Sequence, residues 1–291
     1  MKKINFWSVL LALTLASCTA PSPTHSSTSK SEKKMKTTTL TNQQKAIELL
    51  SGLASKDTKA VENYVSKEQY IQHNPMVADG QEPLLGLVKS GLVKKAKVVR
   101  SFQDGDYVVA QTDYDFMGPK VAFDVFRFEN GKAVEHWDNL AEKSTSPNPG
   151  GHSQLDGPTE VTDLDKTAAN KALVKDFVET VLIEQKYDQM PRFFDGDRYI
   201  QHNTQVPDGL SGLGNALKAL AEQGIYMVYT KNHKILGEGN FVLAMSEGSF
   251  GGQPMVFYDL FRVQDGKIAE HWDVIEPIGD ATAAKNKNGK F

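Results

Sequence analysis

Tyr70-Ile71-Gln72-His73-Asn74 returns, residue for residue, as Tyr199-Ile200-Gln201-His202-Asn203. Asp79-Gly80 returns as Asp208-Gly209, at the same offset of 129. Further on, Asp124, Phe126 and Arg127 match Asp259, Phe261 and Arg262, and Glu135-His136-Trp137-Asp138 matches Glu270-His271-Trp272-Asp273, both at an offset of 135. Identities of this length in the same order mean that one domain is written twice. The repeats are expected at residues 42–143 and 168–278, joined by a linker at 144–167 and followed by a tail at 279–291.

Around the repeated blocks, both copies carry the same order of elements. Apolar residues at Ile47, Leu50 and Leu53 have helical spacing, and so do Leu173, Phe177 and Val181. Short helices are expected at 60–65 and 189–194, and third helices at 84–95 and 210–223. The Lys-rich stretch 89–97 reads as the solvated face and exit of that third helix. Only strands follow: 97–102, 107–116, 121–128 and 132–138, then 227–236, 241–250, 254–263 and 267–274. Helices first and an antiparallel sheet after is an α+β pattern. No Walker-type or dinucleotide-binding glycine pattern is present. The tails at 150–152 and 288–291 echo each other weakly, and each is expected to pack over its own domain.

The chain has 291 residues, 40% of them hydrophobic and 24% charged, which is enough apolar material for real cores and excludes a wholly disordered chain. With 33 Lys plus Arg against 36 Asp plus Glu, the net charge of -3 gives no basic field, so no nucleic-acid partner is expected. The single cysteine, Cys18, excludes an intrachain disulfide and a cysteine-based metal cluster. Residues 1–18 read as a secretory signal: Lys2 and Lys3, an apolar stretch, then Leu15-Ala16-Ser17-Cys18. Its end resembles the lipobox of bacterial lipoproteins. That resemblance implies cleavage before Cys18, lipid on that cysteine, and an extracytoplasmic protein anchored to a membrane of the cell envelope. The Ser/Thr/Lys-rich residues 19–41 read as a tether.

The last two strands of each repeat carry polar residues among phenylalanines. Glu129-Asn130-Gly131-Lys132 and Gln264-Asp265-Gly266-Lys267 are hairpin turns. Two registers fit. A two-residue loop puts Asp124 and His136 on opposite faces. A three-residue loop with Gly131 as a bulge sets Asp124 against His136, and this register is preferred. It places Phe126, Phe128, His136 and Asp138 on one face with Asp124, and leaves Arg127 and Glu135 to pair on the other. In the second copy Asp259, Phe261, His271 and Asp273 share the equivalent face. Desolvation raises a buried carboxyl's pKa, which is how an aspartate becomes a base near neutral pH. Asp138 and Asp273 are the candidate bases, with His136–Asp124 and His271–Asp259 as orienting or proton-sharing pairs. His73 and His202, with Tyr70 and Tyr199, are expected to approach from the helical side. A metal site built from His73, Asp124, His136 and Asp138 is the rival, but the spacing matches no standard zinc pattern. No metal or other cofactor is expected.

Taken together, Tyr70-Ile71-Gln72-His73-Asn74-Pro75, Asp124-Val125-Phe126-Arg127-Phe128 and Asn130-Gly131-Lys132 through His136-Trp137-Asp138 resemble the SnoaL-like polyketide cyclase family. That family belongs to the superfamily named for nuclear transport factor 2. The resemblance covers both repeats. It implies two tandem cone-shaped α+β barrel domains, each a curved antiparallel sheet wrapped by about three helices around a pocket. It implies cofactor-free aldol chemistry with an aspartate of the final strand as base, a role that falls on Asp138 and Asp273. The family's assisting histidine on the preceding strand is replaced here by Asp124 and Asp259. Members pair through the exposed face of the sheet. An intrachain pseudo-dimer is therefore implied, with Phe123, Val125 and Trp137 of one repeat meeting Tyr258, Leu260 and Trp272 of the other. Three functions remain open: a lyase or isomerase acting on a small carbonyl compound, a binding protein for a small apolar ligand, and a structural or protein-interaction module.

Overall fold

Thr41 starts the first helix with a capping box: its hydroxyl accepts from the Gln44 N–H, and the Gln44 side chain accepts from the Thr41 N–H. Helix α1 (Asn42–Leu53) then turns Ala46, Leu49 and Leu50 inward. In the computed structural model, which describes residues 39–291, the first repeat continues with α2 (Lys59–Tyr64), β1 (Ile71–Gln72), α3 (Gln81–Ser90), β2 (Val93–Asp104), β3 (Tyr107–Phe116), β4 (Pro119–Glu129) and β5 (Lys132–Glu142). The second repeat has α4 (Thr167–Phe177), β6 (Ile200–Gln201), α5 (Leu210–Glu222), β7 (Met227–Glu238), β8 (Phe241–Phe250), β9 (Gln253–Gln264) and β10 (Lys267–Pro277). The signal, the tether up to residue 38 and the expected lipid site Cys18 lie outside the described residues.

Two helix expectations change. The third helix stops at Ser90 because Gly91 takes a left-handed conformation (φ 63°), and the lysines beyond it lie on β2 rather than on a helix. In the second repeat α4 loosens into a π-helical turn (Val178–Ile183), and the next short helix is a 3-10 segment (Tyr187–Phe193) containing Pro191.

Each repeat holds a five-stranded mixed sheet, ordered β1-β5-β4-β3-β2 and β6-β10-β9-β8-β7. The two-residue strands β1 and β6 run parallel to β5 and β10, and the other pairs are antiparallel. This corrects the expected closed, wholly antiparallel barrel. Closure would require β1 to meet β2, but they are opposite edges of an open sheet with three strands between them. Register shifts along β2 and β7 mark bulges, which bend those edge strands. Helical residues instead of sheet closure cover the inner face: Leu49, Leu50, Val61, Leu85 and Val88 pack with Val108, Ala110, Phe126 and Phe128.

The hairpin register is also corrected. Asn130 (φ 50°) and Gly131 (φ 74°) both adopt the left-handed region, which closes a two-residue loop between Glu129 and Lys132. The extra residue enters later, at Val134, where the register shifts between Arg127 and Phe128. Asp124 therefore faces Asp138, and His136 faces Phe126. The bulge keeps the alternation of faces, so Asp124, Phe126, His136 and Asp138 still share one side. The second hairpin repeats this, with the shift between Ile268 and Glu270 and with Asp259 facing Asp273.

The outer faces of the two sheets meet. Phe123, Val125 and Trp137 form one buried cluster with Tyr258, Leu260 and Trp272, joined by Leu243 and Met245. The intrachain pairing of the repeats is thus a shared core. Asn139, fully buried, donates across it to the carbonyls of Val256 and Val274. The connecting segments cross over instead of returning to their own domains. Asn148 of the linker donates to the carbonyls of Gln201, Asn203 and Val206, and Asn286 of the tail donates to those of Asn74 and Val77.

Candidate functional site

The repeated Tyr-Ile-Gln-His-Asn block sets up each site from its backbone outward. The Asp79 carboxylate accepts from the Gln72 N–H and the Gly80 N–H donates to the Tyr70 carbonyl, so Asp79-Gly80 folds the loop back on the motif. Asp208-Gly209 does the same for Gln201 and Tyr199. The fixed Gln72 side chain then accepts at Oε1 from the Asn74 N–H and contacts His136 Nδ1 at 3.1 Å. Gln201 Oε1 accepts from the N–H groups of His202 and Asn203 and meets His271 Nδ1 at 3.0 Å. An oxygen that accepts from backbone N–H groups leaves the histidine one role: Nδ1 carries a proton and donates it.

The opposite ring nitrogen faces an aspartate. His271 Nε2 lies 3.0 Å from Asp259 Oδ1, and His136 Nε2 lies 3.4 Å from Asp124 Oδ1. With Nδ1 already protonated, a proton between Nε2 and the carboxyl is a second one, held by the pair. Burial disfavours charge on His271, but the hydrogen bond to Asp259 and the charges of Asp259 and Asp273 outweigh it and raise its pKa. Asp124 also accepts from the Thr112 hydroxyl (2.7 Å) and from the Tyr114 hydroxyl (3.0 Å); Asp259 accepts from the Tyr229 hydroxyl (3.2 Å). Burial, reinforced by the aspartate charges, keeps both tyrosines protonated far above their ordinary range.

Beside each pair stands the second aspartate. Asn74 donates to Asp138 Oδ2 (2.8 Å), and Asn203 donates to Asp273 Oδ2 (2.6 Å). Asp138 Oδ1 is buried and has no hydrogen-bond partner among the described residues. Burial raises the Asp273 carboxyl above the usual aspartate range; His271 and the Asn203 hydrogen bond oppose that rise, and the Asp259 charge adds to it.

These groups line two cavities. The first, of about 680 Å³, includes Tyr70, Asn74, Tyr114, Asp124, Phe126, His136 and Asp138 among walls of leucine, valine and methionine. The second, of about 580 Å³, includes Tyr199, Asn203, Tyr229, Asp259, Phe261, His271 and Asp273. Thus Asp124, His136, Asp138, Tyr70 and Phe126 are brought together as expected, and so are their counterparts. Phe128 belongs to the packed core and not to the cavity wall.

His73 and His202 are not in the cavities. His73 stacks on Trp137, contacts Glu135 at 3.0 Å and donates from Nδ1 to the Gly289 carbonyl. His202 stacks on Trp272, contacts Glu270 at 2.8 Å and reaches the Ser153 carbonyl through Nδ1. Strand alternation explains this: Gln72 and His73 point to opposite sides of the sheet. Glu135 and Glu270 also hold Arg127 and Arg262, as expected from their shared face.

Sequence reasoning missed Gln72, Asn74, Tyr114, Thr112 and Tyr229. The first two were visible in the repeated motif, where Gln and Asn flank the histidine. The tyrosines were hidden because they do not align. Tyr114 sits on β3 opposite Ala96 of β2, whereas Tyr229 sits on β7 opposite Gly248 of β8. The large side chain has changed strands, yet its hydroxyl reaches the same aspartate. A Cβ at Gly248 would lie 1.9 Å from the Val228 carbonyl oxygen, so that place cannot carry a side chain without movement.

Three side-chain groups have donor atoms spaced for a metal ion, within 4.8 Å of one another: Asp124, His136 and Asp138; Asp259, His271 and Asp273; and His152, Asp156 and His202. In the two cavities each imidazole Nδ1 faces a Gln oxygen, and Asp124, Asp259 and Asp273 accept from Tyr or Asn groups, while Asp138 Oδ1 accepts no hydrogen bond among the described residues.

No protein-family model and no curated protein sequence matches the chain. Solved structures do. An NTF2-like protein of unknown function from Cytophaga hutchinsonii is 17% identical over 36% of this chain and 94% of its own, with a TM-score of 0.32. TsrD from Streptomyces laurentii is 20% identical over 34% of this chain and 86% of its own, with a TM-score of 0.30. IdmH from Streptomyces antibioticus, a proposed polyketide cyclase, is 18% identical over 35% of this chain and 92% of its own, with a TM-score of 0.30. Each likeness has the length of one repeat.

Proposed function

We propose that each repeat holds a small, mostly apolar carbonyl compound and that Asp138 and Asp273 act on it as general bases without a cofactor, in lyase or isomerase chemistry of the aldol type. Asp138 carries this reading. One of its carboxylate oxygens is held by Asn74, while the other is buried beside an apolar cavity, makes no hydrogen bond among the described residues, and has the Lys290 ammonium 3.9 Å away. A buried acceptor left open is costly unless something fills it, and a carbon acid held against it is positioned for proton removal. Tyr70 lines the same cavity and its hydroxyl makes no hydrogen bond among the described residues, so it is free to donate to a developing enolate oxygen. The His136–Asp124 pair stands beside it, with His136 Nε2 3.4 Å from Asp124 Oδ1.

The alternative is a binding protein of the same ligand class, in which the aspartate accepts a ligand hydroxyl. A filled interior, which a pure interaction module would have, is not what the two repeats contain. The signal and Cys18 support a place at the cell envelope. Among the described residues no helix is long and apolar enough to cross a membrane.

Proton abstraction has a readout that needs no knowledge of the product. A panel of cyclic and aryl ketones in D2O, followed by proton NMR, should lose α-proton signal faster with the protein than without it. Asp138→Asn combined with Asp273→Asn should reduce that exchange at least 100-fold, the lower range of general-base contributions, about 10²–10⁴. Ligand binding with no enhanced exchange would leave the binding-protein reading in its place.

A further inference from the structure

The interiors of the two cavities are near copies, but their rims are not, and each rim is finished by the opposite repeat. Cavity one is bordered by Glu276 of β10 and Lys285 of the tail, and cavity two by Ala141 and Glu142 of β5 and Gln154 of the linker. The two crossing arms are held by matching contacts. Asn286 and Asn148 fasten to the carbonyls behind Asn74 and Asn203. Asn288 donates to Asp79, and His152 contacts Asp208 at 3.0 Å. Gly289 and Ser153 offer their carbonyls to His73 and His202, while Phe291 and Leu155 pack against the same shared core. The arms are therefore equivalent in anchoring and different in what they present.

That difference is one of charge. Cavity one is lined by Lys120 and Lys285, and no Lys or Arg lines cavity two. Lys120 is paired with Glu142, and Glu276 is paired with Lys290. Lys285 makes no ion pair among the described residues, and its backbone N–H holds it to the Pro75 carbonyl at the rim. Met76, Leu92 and Met117 line cavity one and are exposed, so its mouth is apolar as well as cationic.

Building on the small-molecule reading of the cavities, we infer that the exchanged arms are specificity elements: the tail, through Lys285, suits cavity one to an apolar ligand bearing an anionic group at its outer end, and the linker, through Gln154, suits cavity two to an uncharged one. A cation at an exposed rim discriminates by charge, while the apolar wall contributes affinity common to both ligand types.

The test uses the full chain and two fluorescent probes, anionic cis-parinaric acid and uncharged N-phenyl-1-naphthylamine. Gly86 lines cavity one with open space around its Cβ position, so Gly86→Trp fills that cavity; Ala216→Trp fills cavity two. Parinarate binding should be lost in Gly86→Trp and kept in Ala216→Trp. Lys285→Glu should weaken parinarate at least tenfold and leave the naphthylamine unchanged, and Lys285→Arg should restore the anion. Equal loss of parinarate in both filled variants, or unchanged parinarate affinity in Lys285→Glu, would overturn the assignment of the arms. Failure of both probes to bind the unaltered protein would instead overturn the small-molecule reading, and the arms' role with it.

Discussion

Gln201 Oε1 accepts from two backbone N–H groups and meets His271 Nδ1, and that one oxygen settles how the pocket holds its protons. Because Nδ1 is committed, any proton on Nε2 makes the ring cationic, and Asp259 is placed to stabilise it. The pKa of His271 is raised in the folded protein by that hydrogen bond and by the Asp259 and Asp273 charges, against the effect of burial. A raised folded-state pKa gives stability that is fully present below the unfolded value of 6.5 and is lost as pH rises through the folded value. Against the opposite slope from His233, whose pKa burial lowers, unfolding free energy measured by urea titration should therefore carry a His271 component that falls as pH increases above about 6.5. His271→Gln should remove that component. An identical slope in the variant would mean that the Asp259 contact does not hold the proton. Asp273 acts in the same sense at lower pH: its carboxyl pKa is raised chiefly by burial, so its contribution is complete below 3.8 and lost as pH climbs through the folded value.

Elements show where sequence reading ends. The repeat alone revealed the order of helices and strands, because a period of 3.6 or 2 is a local property. It also placed Asp124, His136 and Asp138 on one face, and that survived an error in register. The sequence at Asn130-Gly131 admits a bulge at Gly131, but both residues go left-handed and the bulge lies at Val134. A bulge leaves no local mark when any residue can serve as the extra one, so partners across the strands were not legible while faces were. Sheet closure was equally hidden, since it depends on whether two edges 20 or more residues apart meet. His73 was misplaced for a simpler reason. The repeated His stands next to the Gln that does point into the cavity, and repetition marks both the pocket wall and the core behind it. The tyrosines were illegible because a cross-strand exchange keeps the contact and destroys the alignment.

At the scale of the whole molecule, the two repeats are halves of one structure. Their sheets share the core around Trp137 and Trp272, and each sends an arm across the other's motif. Neither half can lose its fold without exposing the other's apolar face, so residues 39–291 should unfold in a single transition, seen alike by tryptophan fluorescence and far-UV circular dichroism. Leu260→Ala, in the middle of that core, should lower stability by about 2–5 kcal/mol while the transition stays single. Two separate transitions would mean that the shared core contributes little. The pairing also gives both cavities their complete rims, which ties the architecture to the chemistry proposed for Asp138 and Asp273. The most direct measurement is a crystal structure of the protein with the ketone that exchanges fastest. The acidic carbon is expected in the cavity at about 3–3.5 Å from the Asp138 or Asp273 carboxylate, with the carbonyl oxygen turned toward a tyrosine hydroxyl. A ketone bound outside both cavities, or inside one with its acidic carbon turned away from the aspartate, would contradict that chemistry.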